Sequence, residues 1–465
     1  MKKKICLLLF ALCLLLTACG PANSPEPEPD PAPETSTPEA PAVPEETSAP
    51  EESPELSKRE RDWIDDIEFL REEIKAVHKD PFWFCLEEEF DRRLDQVSAE
   101  LGGLSDSDVF YELSAIISGL GDVHTILQWD GPLPVCNRLF PARTYLFDGK
   151  LYLTGYLAGY EQLEPYLLHE IVAVNGVNTL YLQQKAASLQ VPYSWYSREY
   201  FPLYPTFFEW AGCDYKEGYT FQILNDNQEV ESVEVPVITV DEWNTGTWVR
   251  HECWDSIAYL YAFGTDHAAY AEGKDGGCVQ LGLGEMRSPS NVRRYLLEAG
   301  ELMEEHNTNK LAIDLRSCPG GYADMQPIVE EFRKEAQLLE GKQIYVLTGG
   351  NTMSAATRMI AFFKDEFGAV TVGEPTGQFY SFFSRSSQKV SLLPHSGIQV
   401  RISDVWRDSA VLLPELGLTP VEEYYDEDGK LYEWENAILP DVFVYQNIED
   451  IRQGRDSVME WILEQ

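Results

Sequence analysis

A serine lies at a point in the sequence where its hydroxyl could act as a nucleophile. The apolar run Ile344–Leu347 predicts a buried strand, and the pair Gly349-Gly350 ends it. The residues Ala355–Phe363 that follow have apolar side chains at helical spacing. Ser354 therefore falls at a strand–turn–helix junction, where the helix N-terminus favours developing negative charge. A serine that only caps the helix would have the same position, so these residues alone leave both interpretations open.

A second loop could supply backbone N–H groups to an oxyanion. The buried strand Leu311–Leu315 runs directly into a loop that contains Cys318-Pro319-Gly320-Gly321. Adjacent glycines permit backbone conformations in which amides turn toward a ligand, as an oxyanion hole requires. A simple turn between strand and helix has a similar composition. Arg316, in the same loop, could bind a substrate carboxylate or form an ion pair within the loop.

One histidine is a candidate general base. The periodicity of Ser105–Leu120 predicts a helix capped by Ser105, which Gly119 and Gly121 end. His124 follows in a loop that leads into Ile126-Leu127-Gln128. A loop histidine can exchange a proton near neutral pH, although its position alone is weak evidence of function. Asp122 is expected to order this turn rather than to act as a base.

The two glycine-containing loops belong to a region of alternating strands and helices. From about Trp254 onward this βαβ rhythm predicts an α/β fold, with a largely parallel sheet and helices on its faces. In such sheets, sites form beyond the carboxyl ends of the strands, where both loops emerge. Residues 58–131 are predicted to be helical, and residues 132–245 to consist mainly of short strands and turns.

The β-rich region contains Glu170-Ile-Val-Ala-Val-Asn-Gly176, which resembles the strand-turn signature of PDZ modules. Asn-Gly is also a general hairpin turn, so an unrelated β-rich insertion is the alternative. The aromatic cluster Tyr193–Trp210 is expected to be core rather than a cofactor site.

Composition excludes some classes of function. The 465-residue chain is 44% hydrophobic, which is enough for a sizeable core, and its formal net charge is −42. Nucleic-acid binding needs clustered positive charge, so it is not expected. The cysteines beyond the first 19 residues are scattered without CxxC spacing, which predicts neither a particular disulfide nor a zinc site. No metal and no other cofactor is expected.

The N-terminus has the features of an export signal. Lys2-Lys3-Lys4 precedes the apolar run Ile5–Leu16, and the stretch ends Leu16-Thr17-Ala18-Cys19. This resembles the lipobox of bacterial lipoproteins, which implies that residues 1–19 form a signal peptide whose Cys19 carries lipid. Residues 20–57 are an acidic, proline-rich linker that is expected to be extended. No later stretch reaches the ~20 apolar residues of a membrane helix, so the acyl anchor would be the only membrane attachment.

Four motifs occur together in one order. They are Gly121-Asp-Val-His-Thr125, Ile313-Asp-Leu-Arg-Ser-Cys-Pro-Gly-Gly321, Thr352-Met-Ser-Ala-Ala356 and Val372-Gly-Glu-Pro-Thr-Gly377. This order resembles the C-terminal processing peptidase/tricorn family of serine peptidases, the tail-specific proteases, from about Asp62 to Val444. The resemblance implies a crotonase-like peptidase core in residues 246–465.

The family uses two catalytic arrangements, and the sequence distinguishes between them. No lysine lies between Lys364, which is expected on a helix surface, and Lys389, so the serine–lysine dyad is not expected. The tricorn-like arrangement of serine, histidine and glutamate matches Ser354 and His124. Its glutamate corresponds to Glu435, because Trp434-Glu-Asn-Ala-Ile-Leu-Pro-Asp441 resembles the family's Glu-Asn-x-Gly-x-x-Pro-Asp ending.

The resemblance also assigns the oxyanion hole. The backbone amides of Gly320, with Gly321 beside it, and of Ala355 would hold the oxyanion. Three departures from the family pattern are Val123 where tricorn has a serine, Cys318 where asparagine is usual, and Ala437/Ile438 where glycine is usual.

Together these features predict a lipid-anchored, extracytoplasmic serine endopeptidase of the bacterial cell envelope. Its substrates would be proteins or peptides, with no nucleic acid, and the sequence specifies no oligomeric state. The alternative is a catalytically inactive relative that binds peptides or envelope partners as a lipoprotein. Ester or carbohydrate hydrolysis is not supported, since no Gly-x-Ser-x-Gly motif surrounds Ser354.

Overall fold

The structure, a computed structural model, describes most of the chain after the proline-rich linker. The described residues are 56–128, 138–147, 149–191, 203–215, 218–251, 266–273, 276–284, 286, 288–321, 325–387, 389–408 and 438–465. The helices are α1 (Lys58–Val77), α2 (Glu87–Glu100), α3 (Asp106–Ser118), α4 (Thr179–Ala187), α5 (Pro205–Trp210), α6 (Val240–Thr245), α7 (Pro289–Glu305), α8 (Gln326–Lys334), α9 (Ala355–Phe367), α10 (Ile448–Arg452) and α11 (Ser457–Leu463).

The strands of the first half are β1 (Ile126–Gln128), β2 (Arg138–Leu139), β3 (Ala142–Phe147), β4 (Lys150–Leu157), β5 (Glu170–Val174), β6 (Val177–Asn178), β7 (Tyr219–Leu224), β8 (Val230–Val235), β9 (Ile238–Thr239) and β10 (Trp248–Arg250). Those of the second half are β11 (His267–Ala271), β12 (Cys278–Gly282), β13 (Lys310–Asp314), β14 (Gln343–Thr348), β15 (Val370–Gly373), β16 (Phe382–Ser384), β17 (Ser391–Leu392), β18 (Gln399–Arg401), β19 (Val405–Arg407) and β20 (Val442–Phe443).

The N-terminal helices form where the sequence predicts them. Ser57 and Ser105 cap α1 and α3, and each belongs to a capping box whose side chains satisfy the first backbone N–H groups. Ile67, Leu70 and Ile74 on one face of α1 are fully buried. Burial of this apolar stripe is what holds helices of this length in place.

The region after the helices contains an antiparallel sheet with strand order β10-β4-β5-β7-β8, to which β3 and β6 add by pairing with β4 and β5. Asn175 and Gly176 turn between β5 and β6 with φ values of 46° and 78°, which is the left-handed geometry of an Asn-Gly hairpin. The pairing of β10 with β4 extends this sheet to Arg250, beyond residue 245. The helices α4 and α5 also lie in this region of predicted strands and turns, and are too short to give a periodic signal.

The C-terminal half contains the predicted α/β sheet. Its strand order is β11-β12-β13-β14-β15-β20, and every pairing is parallel except that of β11 with β12. The helices α7, α8 and α9 contribute buried apolar side chains to its core, together with β12, β13 and β14. Because β13 and β14 are adjacent and parallel, the loops after them emerge at the same edge of the sheet.

A small antiparallel sheet of order β1-β18-β17 links the two halves of the chain. Ile126 pairs with Arg401, and Leu127 with Val400, so the loop before β1 is held beside residues from the C-terminal half. Leu393, Ile398 and Val400 are buried in the same apolar core as α1 and α3. Among the described residues, no helix is long and apolar enough to cross a membrane.

Candidate active site

Ser354 occupies a strained turn between β14 and α9. Its backbone has φ 53° and ψ −124°, in a region that non-glycine residues rarely adopt. It stands at the N-cap position of α9, but its side chain makes no capping hydrogen bond. Instead its backbone carbonyl accepts the hydroxyl of Thr357 at 2.7 Å. Capping therefore does not explain this serine, whereas backbone strain of this kind is concentrated at functional sites.

Gly320 is packed directly against the Ser354 turn. Its φ is +107°, and an added Cβ would lie 2.7 Å from the Ser354 Cβ and 2.9 Å from the Ala355 backbone nitrogen. Only glycine fits such a position. The loop is fixed from both sides, because the Met353 N–H donates to the Cys318 carbonyl at 3.1 Å and the Met286 N–H donates to the Gly320 carbonyl at 3.1 Å.

The N–H groups of Gly320 and Ala355 find no acceptor among the described residues. Ala355 is the first residue of α9, where an intrahelical acceptor is not expected. Gly321 forms a parallel bridge with Met286, and a side chain at Gly321 would clash with the Met286 carbonyl. Two open donors beside a serine hydroxyl are the groups that could stabilise an oxyanion formed at that hydroxyl.

His124 lies in the turn that connects α3 to β1. Its backbone N–H donates to Asp122 Oδ1 at 2.9 Å, and its ring stacks on Phe382 with centroids 5.4 Å apart. The ring nitrogen Nδ1 lies 3.8 Å from Asp122 Oδ1 and 3.4 Å from Gln378 Nε2. About a quarter of the His124 side chain remains exposed, so a ligand can reach the imidazole.

The side chain of Gln378 connects His124 to the Ser354 turn. Gln378 Oε1 accepts the Ser354 N–H at 2.6 Å, while Nε2 contacts His124 Nδ1. These two contact distances, added to the span of the amide group between them, mean that the Ser354 nitrogen and His124 Nδ1 lie at most about 9 Å apart. The structure shows no hydrogen bond between the Ser354 hydroxyl and any described residue, His124 included. Ser354 and His124 are therefore neighbours, and the Gln378 amide contacts both residues.

Burial and nearby charges set the protonation state of His124. Burial lowers the pKa of His124 below its ordinary value, and the positive charge of Arg385 acts in the same direction. The Asp122 carboxylate and a hydrogen bond with the Phe383 backbone oppose this shift. The net lowering favours a neutral imidazole at pH 7, which is the form that can accept a proton.

A buried carboxylate and a second histidine support the His124 turn. His78 Nδ1 accepts the Asp80 N–H at 3.1 Å, so the ring proton is assigned to Nε2, which donates to Asp122 Oδ2 at 3.2 Å. Thr125 also donates its hydroxyl to Asp122 Oδ2, at 2.6 Å. Burial alone would raise the pKa of Asp122, but the His78 hydrogen bond and the nearby His124 ring hold it at about 2. Asp122 therefore orders its turn, as predicted.

Two further groups occupy structural positions. Arg316 forms buried ion pairs with Asp314 at 2.6 Å and with Asp456 at 2.7 Å. The structure therefore supports an ion pair for Arg316 rather than the binding of a substrate carboxylate, and it adds Asp456, from outside the loop, as a second partner. Lys364 pairs with Asp441 at 2.6 Å on the surface. Its ammonium is therefore held by Asp441, in agreement with the prediction of a surface lysine.

Sequence reasoning missed Gln378 and His78. Gln378 follows the Gly-Glu-Pro-Thr-Gly motif directly, and its polar side chain before a Phe-Tyr-Ser-Phe-Phe run is the only signal of its role. His78 ends α1 far along the chain from His124, so no local pattern could pair them. Glu435 and Cys19 lie outside the described residues. Among the described side chains, no group of three or more His, Cys, Asp or Glu could hold a metal ion.

Comparisons with known proteins relate the fold of this chain to solved structures. No family model matches the chain, and no curated protein sequence matches it. The solved structure of mature CPAF complexed with lactacystin has a TM-score of 0.55 and 12% identity, and the match covers 88% of this chain and 98% of that one. Mature CPAF itself matches with a TM-score of 0.52 and 12% identity, over 88% of this chain and 96% of that one.

A weaker similarity links the chain to the photosystem II D1 C-terminal processing protease, with a TM-score of 0.36 and 12% identity over 85% of this chain and 94% of that one. Both CPAF matches have TM-scores above 0.5 and cover most of each protein. The chain therefore has the mixed α/β fold of CPAF.

Proposed function

We propose that this chain is a serine endopeptidase in which Ser354 is the nucleophile and His124 the general base. The Ser354 oxygen forms a bond to the carbonyl carbon of a peptide as its proton passes to the His124 imidazole. The imidazolium then returns this proton to the leaving amine as the C–N bond breaks. Water hydrolyses the resulting ester by the same proton transfers in reverse, which regenerates the serine.

The observation that supports this proposal most is the fit of Gly320 against the Ser354 turn. The backbone of Gly320 packs against both the strained Ser354 and the Ala355 nitrogen, so the two open N–H groups belong to neighbouring residues of one turn contact. Gly321 would hold Gly320 in place through its bridge to Met286. Each donor to the oxyanion typically lowers the barrier by about 3 kcal/mol, so such a site would be costly to lose.

Catalysis in this arrangement requires the Ser354 hydroxyl to reach the His124 ring. In the free protein the two are not hydrogen-bonded, and the Gln378 amide contacts the Ser354 N–H on one side and His124 Nδ1 on the other. Catalytic hydrogen bonds are often long or absent without a ligand, so the separation in the free protein is compatible with the proposal. Glu435 is proposed as the third member, which would fix the imidazole tautomer and stabilise the imidazolium.

Labelling with a fluorophosphonate that reacts with activated serines tests this function. We expect stoichiometric labelling of the full chain, mapped to Ser354 by mass spectrometry. Labelling should be lost in Ser354→Ala and reduced at least 100-fold in His124→Ala, the range expected for removal of a general base. Ser387→Ala, an exposed serine, is the matched control and should label like the original chain. If His124→Ala is labelled as fast as the original chain, His124 is not the general base.

The CPAF similarity suggests a second probe. Mature CPAF has been solved in complex with lactacystin, and a nucleophilic serine in the same fold could bind this compound too. We expect lactacystin to protect Ser354 from the fluorophosphonate. Lack of protection would show that the site does not bind lactacystin, and would not contradict the peptidase proposal.

One observation favours a catalytically inactive peptide- or envelope-binding protein as a second candidate. In the free protein the Ser354 hydroxyl makes no hydrogen bond with His124 or any other described residue, while the Gln378 amide occupies His124 Nδ1. If this arrangement persists with peptides bound, the site would bind without cleaving. Failure of the intact chain to label or to cleave an unfolded protein, together with measurable peptide binding, would support this candidate.

We also propose the finer architecture and the location that the sequence predicts. The C-terminal half would be a crotonase-like core, and the β-rich insert a PDZ-like module that captures peptide C-termini. Anisotropy titration with peptides bearing a free or an amidated C-terminus tests the insert, since a PDZ-like groove requires the carboxylate. Cys19 would carry the lipid that anchors the protein outside the cytoplasmic membrane. Phase partition in Triton X-114 should shift to the aqueous phase in Cys19→Ser.

A further inference from the structure

A cavity of about 260 Å³ opens next to the proposed reaction centre. Val123, which directly precedes His124, and Met353, which directly precedes Ser354, both line it. The end of α3, strand β1 and residues 189–191 supply its other walls. The cavity therefore lies beside the residues that precede the two candidate catalytic groups.

The hydroxyl and carboxylate groups of the cavity wall are already satisfied. The Ser114 hydroxyl donates to the Phe110 carbonyl at 2.8 Å, and the Ser118 hydroxyl donates to the Leu189 carbonyl at 2.8 Å. The Asp122 carboxylate, at another point of the wall, is taken up by the hydrogen bonds described above. These groups offer little to a polar ligand, because their hydrogen bonds would have to be broken first.

Apart from Gln190, the other described residues of the wall are apolar. Ile117, Leu127 and Leu189 are buried there, beside the half-buried Val123 and Met353. A charged side chain in such a space would lose its hydration without gaining a partner, whereas an apolar one would gain roughly 1.5–3 kcal/mol by burial. Whole-ligand pockets usually measure about 300–1,000 Å³, so this smaller cavity suits one side chain rather than an entire small molecule.

We propose that this cavity is the subsite for an apolar substrate side chain, of the size of leucine, methionine or phenylalanine, next to the scissile bond. The inference rests on the proposed peptidase function and deepens it by naming the substrate class. The subsite would prefer an apolar side chain because the hydroxyl and carboxylate groups of the wall already have hydrogen-bond partners. It would prefer a side chain of this size because the cavity volume is about 260 Å³.

A cleavage profile of the full chain tests this subsite. A peptide library digested by the protein and read by mass spectrometry should show leucine, methionine and phenylalanine enriched at least tenfold over aspartate, glutamate and lysine. The enrichment should occur at one of the two positions that flank the cleaved bond. Changes of one or two methylenes in a hydrophobic subsite typically alter kcat/KM by roughly 10- to 200-fold, so the effect is measurable.

Two substitutions of Val123 change the cavity volume in opposite directions. Val123→Phe should lower kcat/KM for a phenylalanine peptide at least tenfold and change that for an alanine peptide less than threefold. Val123→Ala should instead improve cleavage of a tryptophan peptide relative to a leucine peptide. Leu180→Phe, at an exposed position of α4, is the control and should leave the profile unchanged. Thermal denaturation of each variant shows whether it is folded.

The outcomes separate failure of the subsite from failure of the function. If the original chain neither labels at Ser354 nor cleaves the library, the peptidase proposal itself is wrong. If it labels and cleaves, but shows no apolar preference at either flanking position, the subsite inference is overturned alone. The same conclusion follows if folded Val123→Phe cleaves phenylalanine and alanine peptides in the original ratio.

Discussion

Gln378 accepts the backbone N–H of Ser354 through its side-chain oxygen at 2.6 Å, and the same amide contacts His124. Gln378 is 2% exposed, so neither bond can be exchanged for water without local opening. The nitrogen it holds belongs to a residue in a strained conformation. Gln378 is therefore a positioning residue that ties the proposed nucleophile to the proposed base.

Replacement of Gln378 by alanine should destabilise the protein. It leaves the Ser354 N–H without an acceptor and removes the packing of a buried side chain, so we expect the free energy of unfolding to fall by about 1–3 kcal/mol. Urea denaturation measures the change. Gln343→Ala, at an exposed position at the start of β14, should stay within about 0.5 kcal/mol of the original chain. Equal stability of the two variants would mean that the Gln378–Ser354 bond contributes nothing.

The reactivity of Ser354 should persist at mildly acidic pH. Because the pKa of His124 is lowered, the neutral imidazole predominates down to a pH below its ordinary value of 6.5, and reactivity falls only beneath that. Second-order rate constants for fluorophosphonate labelling between pH 4 and pH 9 would show the midpoint.

Arg385 contributes to this shift, so Arg385→Gln should move the midpoint to higher pH. Arg92→Gln, an exposed change on α2, serves as the control and should not move it. A midpoint above 6.5 in the original chain, or an unchanged midpoint in Arg385→Gln, would contradict the electrostatic account of His124.

Asp122 should stabilise the fold in a pH-dependent way. Its pKa is about 2 in the folded protein against an ordinary value of 3.8, which corresponds to about 2 kcal/mol of stability. Because the folded pKa is the lower one, this stability is present above about pH 4 and is lost as the pH falls through 2.

We therefore expect Asp122→Asn to lower the free energy of unfolding by about 2 kcal/mol at pH 7. The difference in stability between this variant and the original chain should become smaller below pH 4. Chemical denaturation at several pH values measures both quantities. Asp226→Asn changes a carboxylate whose side chain is 92% exposed and should have little effect. If the difference in stability between Asp122→Asn and the original chain stays constant from pH 7 to pH 2, the lowered pKa of Asp122 does not stabilise the fold.

Gly320→Ala and Gly341→Ala form a matched pair. Both glycines have positive φ, +107° and +73°, but an added Cβ meets the Ser354 turn at Gly320 and nothing within 4 Å at Gly341. Each change should cost about 1–3 kcal/mol of stability through backbone strain. Only Gly320→Ala should also reduce Ser354 labelling, by about 100-fold or more, since it displaces an oxyanion donor.

Labelling and thermal denaturation of both variants separate the two effects. Full labelling of folded Gly320→Ala would exclude the proposed oxyanion hole. Loss of labelling in Gly341→Ala would instead show that strain far from the site is enough to inactivate it.

Arg316 should act on stability rather than on substrate. Its guanidinium is buried between Asp314 and Asp456, so Arg316→Ala leaves buried carboxylates uncompensated and should cost about 3–5 kcal/mol. Arg333→Ala removes a more exposed pair with Glu366 and should cost less than about 1 kcal/mol. Thermal and urea denaturation give the comparison. A small loss of stability for Arg316→Ala with a large rise in KM would restore the substrate-carboxylate interpretation.

Local sequence determined the elements that carry the site. The buried apolar runs of β13 and β14, the glycines after them and the periodicity of α9 are short-range signals, and the structure confirms each of these elements. The capping boxes of α1 and α3 are local in the same way. The left-handed turn at Asn175-Gly176 was predictable because few other dipeptides adopt it.

Tertiary structure alone decided how these elements meet. The pairing of β1 with β18 brings the His124 turn to the C-terminal half, and Gln378 then joins it to Ser354. The contact between His78 and Asp122 joins the end of α1 to the same turn. Sequence patterns report which residues share a face of one helix or strand, but contacts between distant segments depend on how whole faces pack. The resemblance to a peptidase family predicts that His124 and Ser354 share a site, but the contacts made there by Gln378 and His78 are visible only in the folded chain.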